Sequence, residues 1–149
     1  MRAVVTRVAS ASVSIDGETV GKIGRGFLIL LGVGPEDGEA QCRRLAEKAL
    51  GLRVFSDEQG KMNLGLEQIG GEVLVVSQFT LYGNCRKGRR PSFVAAAPPE
   101  LGNAMYERFL ELCREMGFAP QHGRFGADMQ VESVNDGPVT LWLDTDELM

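Results

Sequence analysis

Val4–Ile15 reads VVTRVASASVSI, and it is followed by Asp16-Gly17 and then by ETVGKIG at Glu18–Gly24. The first run is rich in β-branched residues, which suit a pleated, half-buried surface. Asp-Gly between two such runs is the turn chemistry of a two-residue hairpin loop. The chain therefore opens as a β-hairpin. Directly after it, FLILLGVG at Phe27–Gly34 is an unbroken apolar run of strand length, the pattern of a strand buried on both faces.

Outward from this hairpin the period changes. Cys42, Leu45, Ala46, Ala49 and Leu50 recur at i, i+3, i+4, i+7 and i+8, one stripe of a helix with Asp37 placed to cap it. RVFSDEQGKMNLGLEQIGG then reads as a strand fragment and a Gly-rich connection. EVLVVSQF at Glu72–Phe79 is the next apolar strand, and it runs into the polar loop TLYGNCRKGRRPSF. Pro98-Pro99 opens a second helix with Leu101, Met105, Phe109, Leu112 and Met116 on one face, and Gly117 ends it. In DMQVESV, Met129, Val131 and Ser133 alternate with Asp128, Gln130 and Glu132. Asn135-Asp136-Gly137-Pro138 reads as a turn, after which VTLWLDT returns with Val139, Leu141 and Leu143 on one face. No repeat, low-complexity tract or linker interrupts residues 1–149. They read as one α+β domain, mostly antiparallel sheet packed with two main helices.

Composition narrows the function. A chain of 149 residues suits a single core, and 44% hydrophobic with 24% charged residues is ordinary globular usage, which argues against disorder. No stretch approaches the roughly 18 to 20 apolar residues of a membrane span. MRAVVTRVAS at the start reads as a strand, not a signal peptide. The net charge of −4 argues against broad coating of nucleic acid but leaves room for a local basic patch. Cys42, Cys85 and Cys113 are odd in number and far apart, which is neither a disulfide framework nor paired zinc ligands. That usage points to reducing cytosol.

The chemistry-bearing residues exclude more than they select. His122 is the only histidine, so a Ser-His-Asp or Cys-His arrangement would have to use it. It sits among turn residues in APQHGRF, and a pairing with Cys85 stays open. There is no G-x-S-x-G elbow. Without H-E-x-x-H, only Asp128, Glu132 and Asp136 could gather around a metal, and their alternation with apolar residues fits a solvent face better. GVGPEDG lacks the G-x-G-x-x-G spacing and carries Glu36 and Asp37 where a phosphate would sit. Neither a metal nor a cofactor is expected. Arg86, Lys87, Arg89 and Arg90 place four cations in five residues. That run reads either as a solvated charge cluster or as a grip on phosphates, whose binding would be salt-dependent. An acyl-transfer enzyme built from this chain must work without a histidine base, holding an ester with backbone N–H groups and a few hydroxyl or amide side chains.

SQFTLYG at Ser77–Gly83 and NDGPVT at Asn135–Thr140 resemble the two signature motifs of the D-aminoacyl-tRNA deacylase family. MRAVVTRV at the start, KGRRPSF at Lys87–Phe93 and GRFGADMQV at Gly123–Val131 extend the resemblance from the first strand to the last. It implies a partly barrel-like α+β domain that works as a homodimer in the cytoplasm. The implied reaction is hydrolysis of the ester between a D-amino acid, or glycine, and the terminal adenosine of tRNA. The implied partners are D-aminoacyl-tRNA, glycyl-tRNA and a second copy of the chain, with no cofactor. By the same resemblance, Ser77, Gln78, Phe79 and Thr80 line the pocket for the aminoacylated adenosine. Gly137-Pro138 resembles the family's Gly-cisPro element, which reaches into the pocket of the other subunit. Met129 is placed near the pocket and Arg7 against the Gly-Pro element, although the residues alone also read as a core methionine and a surface arginine. The phosphate-gripping reading of Arg86, Lys87, Arg89 and Arg90 would serve tRNA.

The implied selectivity has a steric logic. Backbone carbonyls of a rigid Gly-Pro occupy the space into which an L side chain projects, whereas a D side chain points away and glycine has nothing to clash. For the chemical step three candidates stand: the Thr80 hydroxyl, backbone N–H groups after the SQF segment, and the tRNA 2′-hydroxyl assisting water. Threonine needs a base to become a good nucleophile, and no motif supplies one. One departure stands out: Gly83-Asn84-Cys85 occupies a loop where members often carry Ala-Asp and a small residue.

Overall fold

The first strand, β1 (Arg2–Ile15), is paired along both of its edges. The computed structural model describes residues Met1–Met149. On one edge β1 takes two neighbours in succession. Ala11–Ile15 pair antiparallel with β2 (Glu18–Ile23), and Arg2–Val8 pair antiparallel with β3 (Gly26–Gly32). The hairpin expected at Asp16-Gly17 is present, with φ of 52° and 79° at the two turn residues. Both angles are positive, as a twist-matched two-residue hairpin requires. The remaining elements follow in chain order: α1 (Glu39–Leu50), β4 (Phe55–Ser56), β5 (Met62–Leu64), α2 (Leu66–Ile69), β6 (Glu72–Ser77), a 3-10 turn (Phe79–Tyr82), α3 (Pro99–Glu115), β7 (Gln121–His122), β8 (Gln130–Asp144) and α4 (Thr145–Leu148).

The sheet is antiparallel around β1 and parallel beyond β3, where β6 pairs with β3 and β7 with β6. Its path runs β2-β1-β3-β6-β7, with β8 on the other edge of β1. The two ends of that path meet. A Cβ on Gly21 of β2 would stand 2.9 Å from the His122 carbonyl of β7, and Lys22 N–H donates to Gln121 Oε1 at 3.4 Å. The sheet is thus curled nearly into a barrel, the expected architecture.

Two apolar layers follow from this curl. Ala3, Val5, Phe27, Ile29, Leu31, Val73 and Val75 face α1 and α3 in the larger core. Val8, Ala11, Val13, Ile23, Leu28, Leu74 and Val76 fill the interior of the curl. Successive side chains of β3 and β6 therefore enter different cores, which is why both strands read as unbroken apolar runs.

The α1 stripe is buried as expected, with Cys42, Leu45, Ala46 and Ala49 fully covered and Leu50 nearly so. Burial pushes the Cys42 and Cys113 thiols up to about 12, so both behave as small hydrophobes. On α3 the buried face is broader than the expected stripe. Phe109 and Leu112 are buried, Leu101, Met105 and Met116 sit at the rim, and Tyr106, Leu110 and Cys113 are added. The helix has two layers to face, because it packs on α1 while Tyr106 donates to the Val75 carbonyl of β6 at 2.9 Å. Across the exposed seam between α1 and α3, Arg108 holds Glu39 at 2.8 Å, and this contact brings the Glu39 carboxyl down to about 2.

Three expectations are corrected. Asp37 does not cap α1; the N-cap is Gly38, whose N–H donates to Gln41 Oε1 at 3.0 Å. The Asp37 carboxylate turns back instead, accepting from Gly34 N–H at 2.6 Å and facing the Met1 ammonium at 2.8 Å. Asn135-Asp136-Gly137-Pro138 is not a hairpin turn. The chain stays on β1 before and after it, so Gln130–Asp144 is one strand carrying a large bulge. The face expected from Met129, Val131 and Ser133 is not core either. Met129 is half-buried at the edge of the smaller core, while Val131 is 38% exposed and Ser133 is exposed.

Candidate active site

The SQFTLYG segment begins where β6 ends. Gln78 N–H makes the last bond to β3, donating to the Leu31 carbonyl at 2.7 Å, and the chain then tightens into the Phe79–Tyr82 turn. Leu81 N–H donates to Gln78 O at 3.2 Å and Gly83 N–H to Thr80 O at 2.9 Å. The first N–H groups of such a turn have no partner within it. Those of Phe79 and Thr80 are the ones left in this way.

The turn is held from outside as well. The Arg2 guanidinium donates to the Leu81 carbonyl at 2.9 Å and lies 4.3 Å from the centroid of the Tyr82 ring. Tyr82 OH donates to Asp37 at 3.4 Å. Burial, with the Asp37 charge adding to it, raises the Tyr82 phenol above its ordinary value, so it remains a donor across the working pH range. Phe79 is 55% exposed and stacks edge-on against Phe93 at 5.2 Å.

A hollow of about 530 Å³ opens beside this segment, lined by Ser77, Gln78 and Phe79 from one side and by Asp128, Met129 and Val131 from the other. The structure thus brings the SQF segment and Met129 together. Thr80 is outside the lining, and its hydroxyl accepts from the Gln78 side-chain amide. No base stands beside it. His122 is paired with Val75 on the sheet, and its Nδ1 meets the Gly123 carbonyl at 2.8 Å. Cys85 lies exposed in the basic loop, and no hydrogen bond joins it to His122. The Cys-His reading is dropped.

Arg7, Gly137 and Pro138 form a second group. In the β1–β8 ladder Thr6 faces Thr140 and Val8 faces Asn135, so Arg7 alone stands opposite the four residues Asp136–Val139. The extra residues are closed into a loop by Asn135, which accepts from Val139 N–H at 2.8 Å and donates to the Thr140 hydroxyl at 2.7 Å. Arg7 holds the loop from beneath, donating to the Asp136 carbonyl at 2.8 Å and to the Val54 carbonyl at 2.6 Å. Within it Gly137 has φ of +142° and the Gly137-Pro138 peptide bond is cis. Gly137 and Pro138 are exposed, and neither lines the hollow beside Ser77 in its own chain.

The basic run forms a third group. Asn84 and Ser92 exchange backbone hydrogen bonds at 2.7 and 2.9 Å, closing the loop that carries the cations. Arg86, Lys87 and Arg90 line an exposed hollow of about 590 Å³ with Asn84 and Ser92, while Arg89 is exposed outside it. None of the four is within salt-bridge distance of a carboxylate. Sequence reasoning missed Arg2, Asp37, Asn135 and Thr140 as supports of the first two groups. Asn135 and Thr140 were visible inside NDGPVT; Arg2 carries no local signal.

The model of the D-Tyr-tRNA(Tyr) deacylase family matches residues 4–144. A D-aminoacyl-tRNA deacylase of Thermotoga petrophila is 59% identical over 148 residues, covering 99% of each chain. One from Salmonella typhimurium is 56% identical over 143 residues, covering 96% of this chain and 99% of the relative. Among solved structures, a c-Myc DNA Unwinding Element Binding Protein superposes with a TM-score of 0.91 at 44% identity, covering 97% of this chain and 98% of that one. A probable eukaryotic D-amino acid tRNA deacylase, 18% identical, shares the fold with a TM-score of 0.79 over 95% of this chain and 97% of that one. The match spans every strand of the main sheet and both motif-bearing sites, and on it the chain belongs to the D-Tyr-tRNA(Tyr) deacylase family.

Proposed function

We propose that this protein hydrolyses the ester joining a D-amino acid, or glycine, to the 3′-terminal adenosine of tRNA, and so proofreads aminoacyl-tRNA in the cytoplasm. The observation that carries this is the hollow in which Ser77, Gln78, Phe79 and Met129 meet, in a chain of this family. The terminal adenosine and its ester occupy that hollow. The basic loop with Arg86, Lys87, Arg89 and Arg90, free of carboxylate partners, faces the tRNA phosphates. No step calls for a metal or a cofactor.

Catalysis rests on the backbone N–H groups after the SQF segment, which stabilise the oxyanion, with the tRNA 2′-hydroxyl assisting water. Supporting this is the state of Thr80: its hydroxyl is engaged by Gln78 and has no base beside it. Thr80→Ala and Ser77→Ala are therefore expected to retain at least about a tenth of wild-type kcat, well short of the 10²- to 10³-fold loss typical of removing an oxyanion donor. Single-turnover deacylation measures it. A near-complete loss in a folded Thr80→Ala would return the step to the side chain.

The enzyme acts as a homodimer. The Gly137-Pro138 bulge lies outside the lining of the hollow in its own chain, so it reaches an ester there only from a second copy. Val134, 56% exposed beside it, gives that second copy an apolar side chain to cover. Arriving from the partner, the carbonyls of the bulge exclude L side chains and leave D side chains and glycine unhindered. The test follows ester loss from D-tyrosyl-tRNA and L-tyrosyl-tRNA with purified protein of known solution size. Rapid loss of the D ester with the L ester intact supports the reading; intact D ester in the presence of folded dimer refutes it.

A second reading is favoured by one observation, the 44% identity to a protein named for binding a DNA unwinding element. Here the basic loop alone acts, in a nucleic-acid-binding module without hydrolysis. That reading predicts salt-sensitive binding that survives substitution of Gly137 or Pro138, with no ester cleaved.

A further inference from the structure

We infer that Arg2 is a positioning residue for the deacylase step, acting through the Phe79–Tyr82 turn rather than on the tRNA. The inference rests on the proposed placement of the ester beside Ser77–Thr80.

The turn follows the lining segment directly, and any shift in it carries over to the N–H groups of Phe79 and Thr80. Its own internal bonds are few. It lies against the end of β3, where Gln78 N–H donates to Leu31 O at 2.7 Å and a Cβ on Gly32 would already stand 3.1 Å from Gln78 O. That contact fixes where the turn begins. Its far end needs another tether, and Arg2 supplies it twice over. One guanidinium N–H donates to the Leu81 carbonyl at 2.9 Å, and the guanidinium carbon lies 4.3 Å from the Tyr82 ring centroid. A planar guanidinium can do both at once, which an ammonium on a flexible stem cannot.

The other side of Arg2 is fastened to the scaffold. Its Nε donates to Asp144 Oδ2 at 3.1 Å, where β8 passes into α4. Asp144 is itself 8% exposed and caps α4 by accepting from Asp146 N–H. The guanidinium therefore bridges a buried carboxylate on the frame and a carbonyl on the catalytic turn. Asp37 reinforces it from the opposite direction through Tyr82 OH. Since the Arg2 charge is already matched by Asp144, it is poorly placed to serve as a phosphate contact. This separates it from Arg86, Lys87 and Arg90, which have no such partner.

The consequence is specific. Loss of the tether loosens the transition-state geometry without removing a substrate contact, so kcat falls and KM does not. Arg2→Met keeps the aliphatic stem and loses the donors. It is expected to lower kcat for D-tyrosyl-tRNA about tenfold, with KM within about twofold of wild type. Arg2→Lys, which still offers one donor to the Leu81 carbonyl, is expected to restore part of that loss. Tyr82→Phe, which keeps the ring and loses only the hydroxyl, gives a smaller fall of the same kind. It also provides a second reading if Arg2→Met folds poorly.

Thermal unfolding of each variant is measured beside its steady-state kinetics. A raised KM with unchanged kcat would make Arg2 a binding residue and overturn the inference. A lowered melting temperature with unchanged kcat would make it part of the fold alone, with the same result. If wild-type protein leaves the D ester intact, the function proposed above fails and the inference falls with it. If wild type cleaves the ester and Arg2→Met matches its kcat, only the inference fails.

Discussion

Gly137→Ala is expected to reduce the preference for D- over L-tyrosyl-tRNA by at least about tenfold, read as the ratio of the two kcat/KM values. A methyl group at this position has nowhere to go. It would stand 2.8 Å from Val139 Cγ2, 2.9 Å from Val139 N and 3.0 Å from Arg7 Nη2, and Gly137 holds φ of +142°, which L side chains rarely adopt. Val139 N is pinned by Asn135 and Arg7 by two carbonyls, so the neighbours cannot yield independently. The bulge must move as a whole. Under the proposed mechanism its carbonyls are the fence that the L side chain meets, and a misplacement of about 1 Å costs on the order of a hundredfold in an aligned site. Some of that loss falls on D-ester hydrolysis, but under that mechanism nothing else rejects the L ester, so its rejection falls further. An unchanged D-to-L ratio in a folded Gly137→Ala would remove the bulge from the mechanism.

Gly26→Ala is the counterpart for the fold and is expected to prevent the native state from forming. Gly26 is paired on both sides, with Val8 of β1 and with Glu72 of β6. A Cβ there would lie 1.8 Å from Glu72 O and 2.6 Å from Glu72 N. These are backbone atoms of a central strand, and no rotamer relieves them. Relief requires β6 to part from β3 at the point where the parallel ladder starts. The cost exceeds about 4 kcal/mol, beyond the usual range of single substitutions, against a total stability of about 5 to 15 kcal/mol for domains in general. Soluble yield and urea unfolding report it. A cooperative transition near that of wild type would show that β6 can shift at no great cost.

The two substitutions divide what could be read in the chain from what could not. The elements were legible wherever one local pattern has one physical solution. FLILL reads as a strand buried on both faces and VLVV as an apolar strand, and both are buried on both faces because each serves two cores. The α1 stripe needed only the helical period to be found. SQFTLYG and NDGPVT were legible as motifs because their residue types are local facts.

Placement was another matter, and NDGPVT is the clearest case. Asn, Asp, Gly and Pro satisfy a hairpin turn and a strand bulge equally well. The decision came from β1, whose fourteen residues offer β8 a continuous edge before and after the insertion. The chain therefore returns to the same partner instead of reversing. Arg7 became a brace only because that register sets it opposite the bulge, and Arg2 reached the Leu81 carbonyl across 79 residues of sequence. Met129 and Val131 alternate as a core face would, yet one chain supplies no layer to cover Val131. Patterns of period and residue type are set by interactions between near neighbours, so the first hairpin, the two apolar strands, the two main helices and the two motifs could be read from the chain directly. Which motif faces which, and what each leans on, depends on pairings between distant segments, and those exist only once the sheet has curled.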